Sequence, residues 1–327
     1  PTMGDAAGWG AATMAALSPM LLRYSQDSRP YSLWSALLGL SILTLLKAWR
    51  SPTKKNWAVN GVTIVAAFYT QFLSVLVIVA QGFALAVHGI LTTRSFKHTW
   101  QLGALKRWII TVLLSLVAAS PWLGMFALLR DQVKARTFWL GESLPLVDLM
   151  RRWGAGFSYT WLDFPGGSRR GWFVYASLLM IGLGIATVYL WRKTKQQGQA
   201  PPESQGDHPK GMVLLLSTTV VPALIIVLMD LVLGGRRSTV SRYLIPAYLG
   251  LTTMTGSALA LGLTRPMRRG RSVWKTVGVW SGATLLVLIS SVSCVQLSQA
   301  TTWWNLSKAI AVMKEEILEN PQAIVVS

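Results

Sequence analysis

Apolar stretches of about 20 residues recur along this chain, each bounded by Lys, Arg, Pro or Gly. A helix of that length crosses the hydrocarbon of a bilayer and satisfies its own backbone polar groups. Charged residues make up 13% of the 327 residues and hydrophobic residues 52%, whereas soluble domains carry roughly 25% charged residues. The sequence therefore predicts an all-α integral membrane protein and argues against a single soluble core.

We predict about nine transmembrane helices within residues 1–297. The connections richest in Lys and Arg all fall on one side of such a nine-span arrangement, and the positive-inside rule makes that side cytoplasmic. The N-terminus is then inside and the C-terminus outside. The predicted spans are 8–22, 31–49, 57–71, 74–92, 108–129, 171–191, 211–234, 243–264 and 276–297.

The net charge of +19 could indicate nucleic acid as a partner. The basic residues, however, lie in short clusters between apolar segments, at 47–55, 94–107, 192–210 and 265–275. Topology accounts for that pattern, so we expect the lipid bilayer, and no nucleic acid, as a partner.

The stretch 57–91 is too short for two full spans and too long for one, and both of its flanks are basic. The positive-inside rule then requires a hairpin of short helices with its tip at Tyr69, Thr70 and Gln71. A polar tip within the membrane must be covered by protein or line a wet cavity.

Two further segments lie on the predicted outer side. The longest connection, 130–170, contains Trp139, Trp153 and Trp161 among charged residues, which fits an amphipathic interfacial segment and equally a plain loop with an aromatic belt. Residues 298–327 predict the beginning of an outer soluble segment, with a helix over 305–319 and a strand over 323–326.

A polar septet, 25–31, separates two predicted spans on the outer side. A hydrophilic turn with an interfacial tyrosine is one interpretation. The alternative is that Arg29 binds a phosphate, since a guanidinium can form bidentate bonds with one. Asp27 would then orient Arg29 or a sugar hydroxyl.

A second outer segment, 234–246, carries Arg236, Arg237 and Arg242 against the topological bias for basic residues. Such a group attracts a phosphate or diphosphate, and simple binding of anionic headgroups is the alternative.

Other ionisable groups give weaker signals. Asp230 lies deep in a predicted span and is a functional candidate, although we expect a salt bridge to a neighbouring helix. His88, His98 and His208 lie far apart and show no metal-binding spacing, and the single cysteine, Cys294, excludes an internal disulfide.

Three motifs together resemble a known family. Residues 24–33, YSQDSRPYSL, resemble the "ysQeaRpYsL" signature of bacterial GT-C membrane glycosyltransferases, the glycosyltransferase family 39 group related to protein O-mannosyltransferases and the lipid A aminoarabinose transferase. Residues 69–72, YTQF, resemble its "YTHY" element with Gln71 in place of the usual His. Residues 242–247, RYLIPA, resemble its "RYLLPA" element, and all three occur in the family's order.

The resemblance implies a GT-C fold and an enzyme of the bacterial cytoplasmic membrane that moves a sugar from a polyprenyl-phosphate donor to a lipid, glycan or protein acceptor. It implies donor-phosphate contacts at Arg29, Arg237, Arg242 and Tyr243, with Gln26, Asp27, Tyr31, Tyr69 and Gln71 in support. The sugar, the carrier length and the acceptor are not implied.

The family's catalytic carboxylate lies in the first outer loop, after its first helix. No such loop occurs in this sequence, so we expect the general base upstream of residue 1, together with any residues that hold a divalent metal; no cofactor is expected on this chain. A transporter or flippase of lipid-linked sugars is the rival function, because it would also place arginines on the outer side. Transporters commonly show internal repeats, and the sequence shows none.

Overall fold

The computed structural model describes residues 5–27, 29–93, 103–163, 207–264 and 273–299, and these residues form helices with no strand among them. Twelve α-helices occur within these described ranges, and three short 3-10 turns occupy Phe138–Gly141, Arg237–Thr239 and Ser241–Leu244. The helices are α1 (Asp5–Ala16), α2 (Pro19–Ser25), α3 (Tyr31–Arg50), α4 (Lys54–Thr70), α5 (Ser74–Thr93), α6 (Ala104–Ala118), α7 (Ser120–Leu128), α8 (Arg130–Thr137), α9 (Leu146–Ser158), α10 (Asp207–Leu233), α11 (Ile245–Thr264) and α12 (Val273–Ser298).

Four of these helices are long and apolar enough to cross a membrane, by length and composition, in the part of the chain that the structure describes. They lie within α3, α5, α10 and α12, and the pair α6–α7 would be a fifth if it counts as one bent span. Leucine and valine side chains on these helices are exposed, for example Val232 at 77% and Leu114 at 65%. The chain is thus all-α over its described residues and fits a multi-pass membrane protein, while nine spans remain a prediction.

The first predicted span, 8–22, is two helices rather than one. α1 ends at Ala16, and Ser18 caps α2 by accepting a hydrogen bond from the backbone N–H of Leu21, with Pro19 in the first turn. Serine at the N-cap and proline at the first helical position are the usual start of a helix. The uninterrupted span that we predicted there is therefore wrong.

The predicted span 108–129 is also interrupted. α6 and α7 meet at Ala119 with a bend of 56°, directly before Ser120 and Pro121. Proline cannot donate the backbone hydrogen bond that would continue α6, so the helix restarts at this position.

The hairpin predicted over 57–91 is present as α4 and α5, of 17 and 20 residues. α5 is long and apolar enough to cross a membrane, so the prediction of short helices is wrong for α5. Residues 71–73 separate the two helices, so the turn begins at the last residue of the predicted tip and extends two residues beyond it, while Tyr69 and Thr70 belong to α4. Trp34 in the first turn of α3 donates from Nε1 to Ser74 Oγ at 2.8 Å. The hairpin tip therefore lies beside the start of α3, the helix that directly follows the septet.

Two of the basic regions meet at the opposite end of these helices, within the described residues. Arg107 at the start of α6 donates to the carbonyl of Pro52, between α3 and α4. Leu45, Trp57 and Leu105 pack together in one core cluster next to this contact. Within the described residues, the connection between α3 and α4 and the start of α6 therefore lie together at the end away from the hairpin tip. The side of the membrane that this end faces stays a prediction.

Several predicted features lie largely outside the described residues. They are the span 171–191, most of the basic clusters 94–107, 192–210 and 265–275, and all but the first two residues of the outer segment 298–327.

Candidate functional site

The polar end of the helices brings four separate segments of the chain together. Ser18 at the start of α2 donates to the carbonyl of Thr160 at 2.8 Å, which ties α2 to the turn after α9. Trp153 of α9 donates from Nε1 to Ser238 Oγ at 2.8 Å, which ties α9 to the turn between α10 and α11. Together with the contact between Trp34 and Ser74, these bonds assemble the septet, the hairpin tip, the segment 130–163 and the segment 234–244.

Three buried tyrosines, Tyr24, Tyr31 and Tyr248, form a layer at this polar end of the helices. Tyr24 and Tyr31 meet edge to face with ring centroids 5.1 Å apart, and both are buried. They share a core cluster with Tyr248, which is hydrogen bonded to Ser241, the residue before Arg242. Edge-to-face packing of this kind fixes ring orientation, so the layer holds the septet and the second arginine segment in register.

Arg29 lies at the exposed edge of this tyrosine layer. Its Nη1 donates to Tyr31 Oη at 3.4 Å, and its backbone N–H donates to Asp27 Oδ1 at 3.3 Å. The hydrogen bond to Tyr31 raises the pKa of Arg29, so its positive charge is secure. Asp27 orients the backbone of Arg29 through this turn, while the guanidinium is directed by Tyr31.

Arg242 lies beside the same layer. Its guanidinium lies over the ring of Tyr243, 5.4 Å from the centroid, and Tyr243 packs against the core cluster that contains Tyr24 and Tyr31. Among the described residues, neither Arg29 nor Arg242 has a carboxylate within salt-bridge distance.

Arg237, the third predicted phosphate contact, is engaged within its own turn. Its Nη1 donates to Asp230 Oδ1 at 3.2 Å and to the carbonyl of Gly234 at 2.7 Å. Arg236, beside it, pairs with Glu142 at 2.8 Å and lies over the ring of Trp139. These two guanidiniums fasten the turn, whereas those of Arg29 and Arg242 keep donors available.

From its position we expected Asp230 to form a salt bridge with a neighbouring helix. Its salt bridge is instead with Arg237, in the turn directly after its own helix. Its side chain is completely buried and accepts from Arg237 and from both the backbone N–H and the hydroxyl of Ser238, the last two at 2.6 Å. Glycine at 234 and 235 provides the positive φ values, 70° and 128°, that let the chain turn back onto this carboxylate. Asp230 therefore closes the turn that leads to Arg242.

Sequence reasoning missed a buried ion pair beneath the tyrosine layer. Arg23 of α2 lies 3.4 Å from Asp163, and its guanidinium lies over the ring of Tyr159. Burial raises the pKa of Asp163, and the charge of Arg23 opposes that rise. Arg23 could have been noticed because it is an ionisable residue at the end of an apolar stretch. No local pattern in the sequence indicated that Asp163 is its partner.

The remaining predicted residues are more distant from this pair of arginines. Tyr69 is 43% exposed and donates to the carbonyl of Ala118 on α6, and Gln71 caps the end of α4. Gln26 is exposed at the end of α2. Over the described ranges, no hydrogen bond joins any of these three side chains to Arg29 or Arg242, and no group of three His, Cys, Asp or Glu residues is placed to hold a metal.

No protein-family model, curated protein or solved structure matches this chain.

Proposed function

We propose that this protein is a membrane glycosyltransferase that moves a sugar from a polyprenyl-phosphate carrier to an acceptor at the outer face of the bacterial cytoplasmic membrane. The observation that carries the proposal is that Arg29 and Arg242 both contact tyrosines that lie in or pack against one core cluster, Arg29 through Tyr31 and Arg242 through Tyr243. The two arginines come from distant parts of the sequence, and neither has a carboxylate partner among the described residues. The order of the three motifs supports the same function.

Two guanidiniums at one membrane end suit a lipid phosphate. Each can donate two parallel hydrogen bonds to phosphate oxygens, and such charge-assisted bonds are stronger than neutral ones. A carrier lipid would keep its chain in the bilayer and bring its phosphate to the level where the apolar helices end. Tyr243, under the guanidinium of Arg242, would hold that side chain in place.

The reaction would be an inverting displacement. The acceptor hydroxyl oxygen bonds to the anomeric carbon, the bond from that carbon to the phosphate oxygen breaks, and the bond's electron pair stays on the phosphate. Arg29 and Arg242 would stabilise the negative charge that develops there, which is how fixed cations lower such a barrier. A general base takes the hydroxyl proton, and we assign no residue of this chain to that role.

The experiment is an assay of the full-length protein, with any residues upstream of residue 1 included, in proteoliposomes loaded with a polyprenyl-phosphate sugar and a set of candidate acceptors. Transfer releases free polyprenyl phosphate, whereas a flippase relocates the intact donor between leaflets. Release that depends on Arg29 and Arg242 supports the enzyme. Relocation of intact donor without release would replace it by the transporter.

A further inference from the structure

We propose that α9 lies along the bilayer interface at the end that carries Arg29 and Arg242, with one flank inserted among the phospholipid headgroups and upper acyl chains. This inference does not depend on the transfer reaction. It rests on the surface of α9 and on where the helix begins.

The apolar surface of α9 is wider than its contact with the rest of the protein. Leu149 and Gly156 are buried, and Trp153 is held by Ser238. Leu146, Val147 and Met150, however, are exposed at 55%, 58% and 48%. At about 100° per residue Leu146 and Met150 lie in line with Phe157, which packs against the core cluster near the end of α9, and Val147 lies on the adjacent flank. The apolar arc is therefore left exposed over the first turns of α9.

The charged residues of α9 lie on the opposite arc. Asp148, Arg151 and Arg152 are grouped there, and Arg151 pairs with Asp148 at 3.3 Å on the surface. A helix with separate apolar and charged arcs lies in the plane of a membrane, with the apolar arc buried and the charged arc in water. Arginine beside an apolar flank also complements the negative phosphates of the lipids.

The start of α9 fixes its depth. Ser143, three residues before the helix, lies so close to Gly234 that a Cβ on Gly234 would come within 2.7 Å of the serine hydroxyl. Gly234 directly follows the last turn of α10, a candidate span whose Val232 and Leu233 are exposed at 77% and 71%. The exposed flank of α9 therefore begins beside the end of a candidate span whose exposed apolar side chains would face lipid, and the same lipid would cover the flank.

A pair of labelled variants tests this placement in the full chain. Cys294 is the single cysteine of the sequence, and its thiol donates to the carbonyl of Leu17, a bond that a hydroxyl can replace, so Cys294→Ser gives a cysteine-free background. Val147→Cys and Arg152→Cys, each exposed and on opposite arcs, then carry an environment-sensitive fluorophore in liposomes that contain anionic phospholipid. Met150→Cys is a second position on the apolar flank, in case Val147→Cys fails to fold.

We expect the label at 147 or 150 to emit at shorter wavelength and to be quenched by lipids brominated on their acyl chains, but not by aqueous iodide. The label at 152 should show the reverse. Equal quenching by iodide at both positions would mean that α9 stands in water. Protection of position 147 from both quenchers would mean that protein, a second copy or another partner, covers the flank, and either outcome overturns the proposal.

Discussion

The guanidinium of Arg23 and the carboxylate of Asp163 face each other at 3.4 Å beneath the tyrosine layer, with side chains only 4% and 14% exposed. Around this pair, Ser290 donates to the carbonyl of Trp161, and the backbone N–H of Asp163 donates to Ser293. The turn after α9 is thereby fastened to both α2 and α12. Since α2 leads directly into the septet, the pair contributes to the position of Arg29.

Removal of one partner of this pair should destabilise the protein strongly. Asp163→Asn leaves the charge of Arg23 buried without its carboxylate, so we expect a loss of about 3 to 5 kcal/mol. The matched control is Asp148→Asn, which breaks an exposed pair on α9 and should cost at most about 1 kcal/mol. Thermal unfolding in detergent or nanodiscs measures both. Equal effects in the two variants would show that the buried pair contributes no more to stability than an exposed pair does.

The carboxylate of Asp230 should be needed to hold the turn before Arg242. Asp230→Ala leaves the backbone donors of Arg237 and Ser238 unsatisfied and removes the partner of a partly buried guanidinium. We expect roughly 3 kcal/mol of destabilisation and faster proteolysis in the segment 234–244. Glu142→Gln, which removes the half-exposed partner of Arg236, is the control and should leave the cleavage rate unchanged.

Much of the helix pattern could be predicted because hydrophobic length is a local property. The spans predicted at 31–49 and 74–92 are α3 and α5 to within a residue at each end, since basic or polar residues stop each apolar stretch. The interruptions at Ser18 and Ala119 were missed, although each precedes or includes a Ser-Pro pair. Proline alone does not decide the matter, because Pro222 lies inside α10 without ending it. Packing against other helices decides which prolines interrupt a span, and hydropathy does not contain that information.

The candidate site was predictable only in part, because contacts between distant segments of the chain are not visible in a local sequence pattern. Arg29 and Arg242 were chosen from motifs and topology, and the structure brings them to one tyrosine layer. The buried pair of Arg23 and Asp163, and the engagement of Arg237 by Asp230, depend on how the chain returns on itself. No spacing rule in a single sequence reports those contacts.

A close contact between α1 and α11 should be sensitive to any side chain at Gly10. A Cβ at this position would meet the carbonyl of Gly256 and would come within 2.6 Å of the Cβ of Ala260. Small residues allow helix backbones to approach closely in membranes. Gly10→Val should therefore destabilise the protein by about 1 to 3 kcal/mol, measured by thermal unfolding.

The control for that substitution is Gly8→Val on the same helix, where a Cβ would meet nothing within 4 Å. Both variants carry the same cost of placing valine in a helix, so the difference between them isolates the contact with α11. If Gly8→Val and Gly10→Val unfold at the same temperature, α1 does not pack on α11 in this way.

Fusion reporters test the orientation. A reporter fused after Lys195 should behave as cytoplasmic, and one fused after Glu315 as external, because the basic connections define the inner side. Alkaline phosphatase activity and fluorescence of a cytoplasm-dependent protein provide complementary readouts. The opposite pattern would place Arg29 and Arg242 at the cytoplasmic end and remove the outer-face reaction.

Arg29 and Arg242 should each contribute directly to turnover if both bind the departing phosphate. A charge-assisted hydrogen bond contributes about 1.5 to 3 kcal/mol, so Arg29→Ala or Arg242→Ala in the full-length protein should reduce kcat/KM roughly tenfold to hundredfold. Lysine at either position should restore only part of the loss, because an ammonium keeps the charge but not the planar pair of donors. Simple binding of headgroups predicts small losses, full rescue by lysine and a dependence on anionic lipid. Transfer measured in neutral lipid, with Arg151→Ala as the exposed control, separates the two. Near-normal transfer by both alanine variants would exclude these side chains from the reaction, because alanine has no group that could stabilise the leaving phosphate.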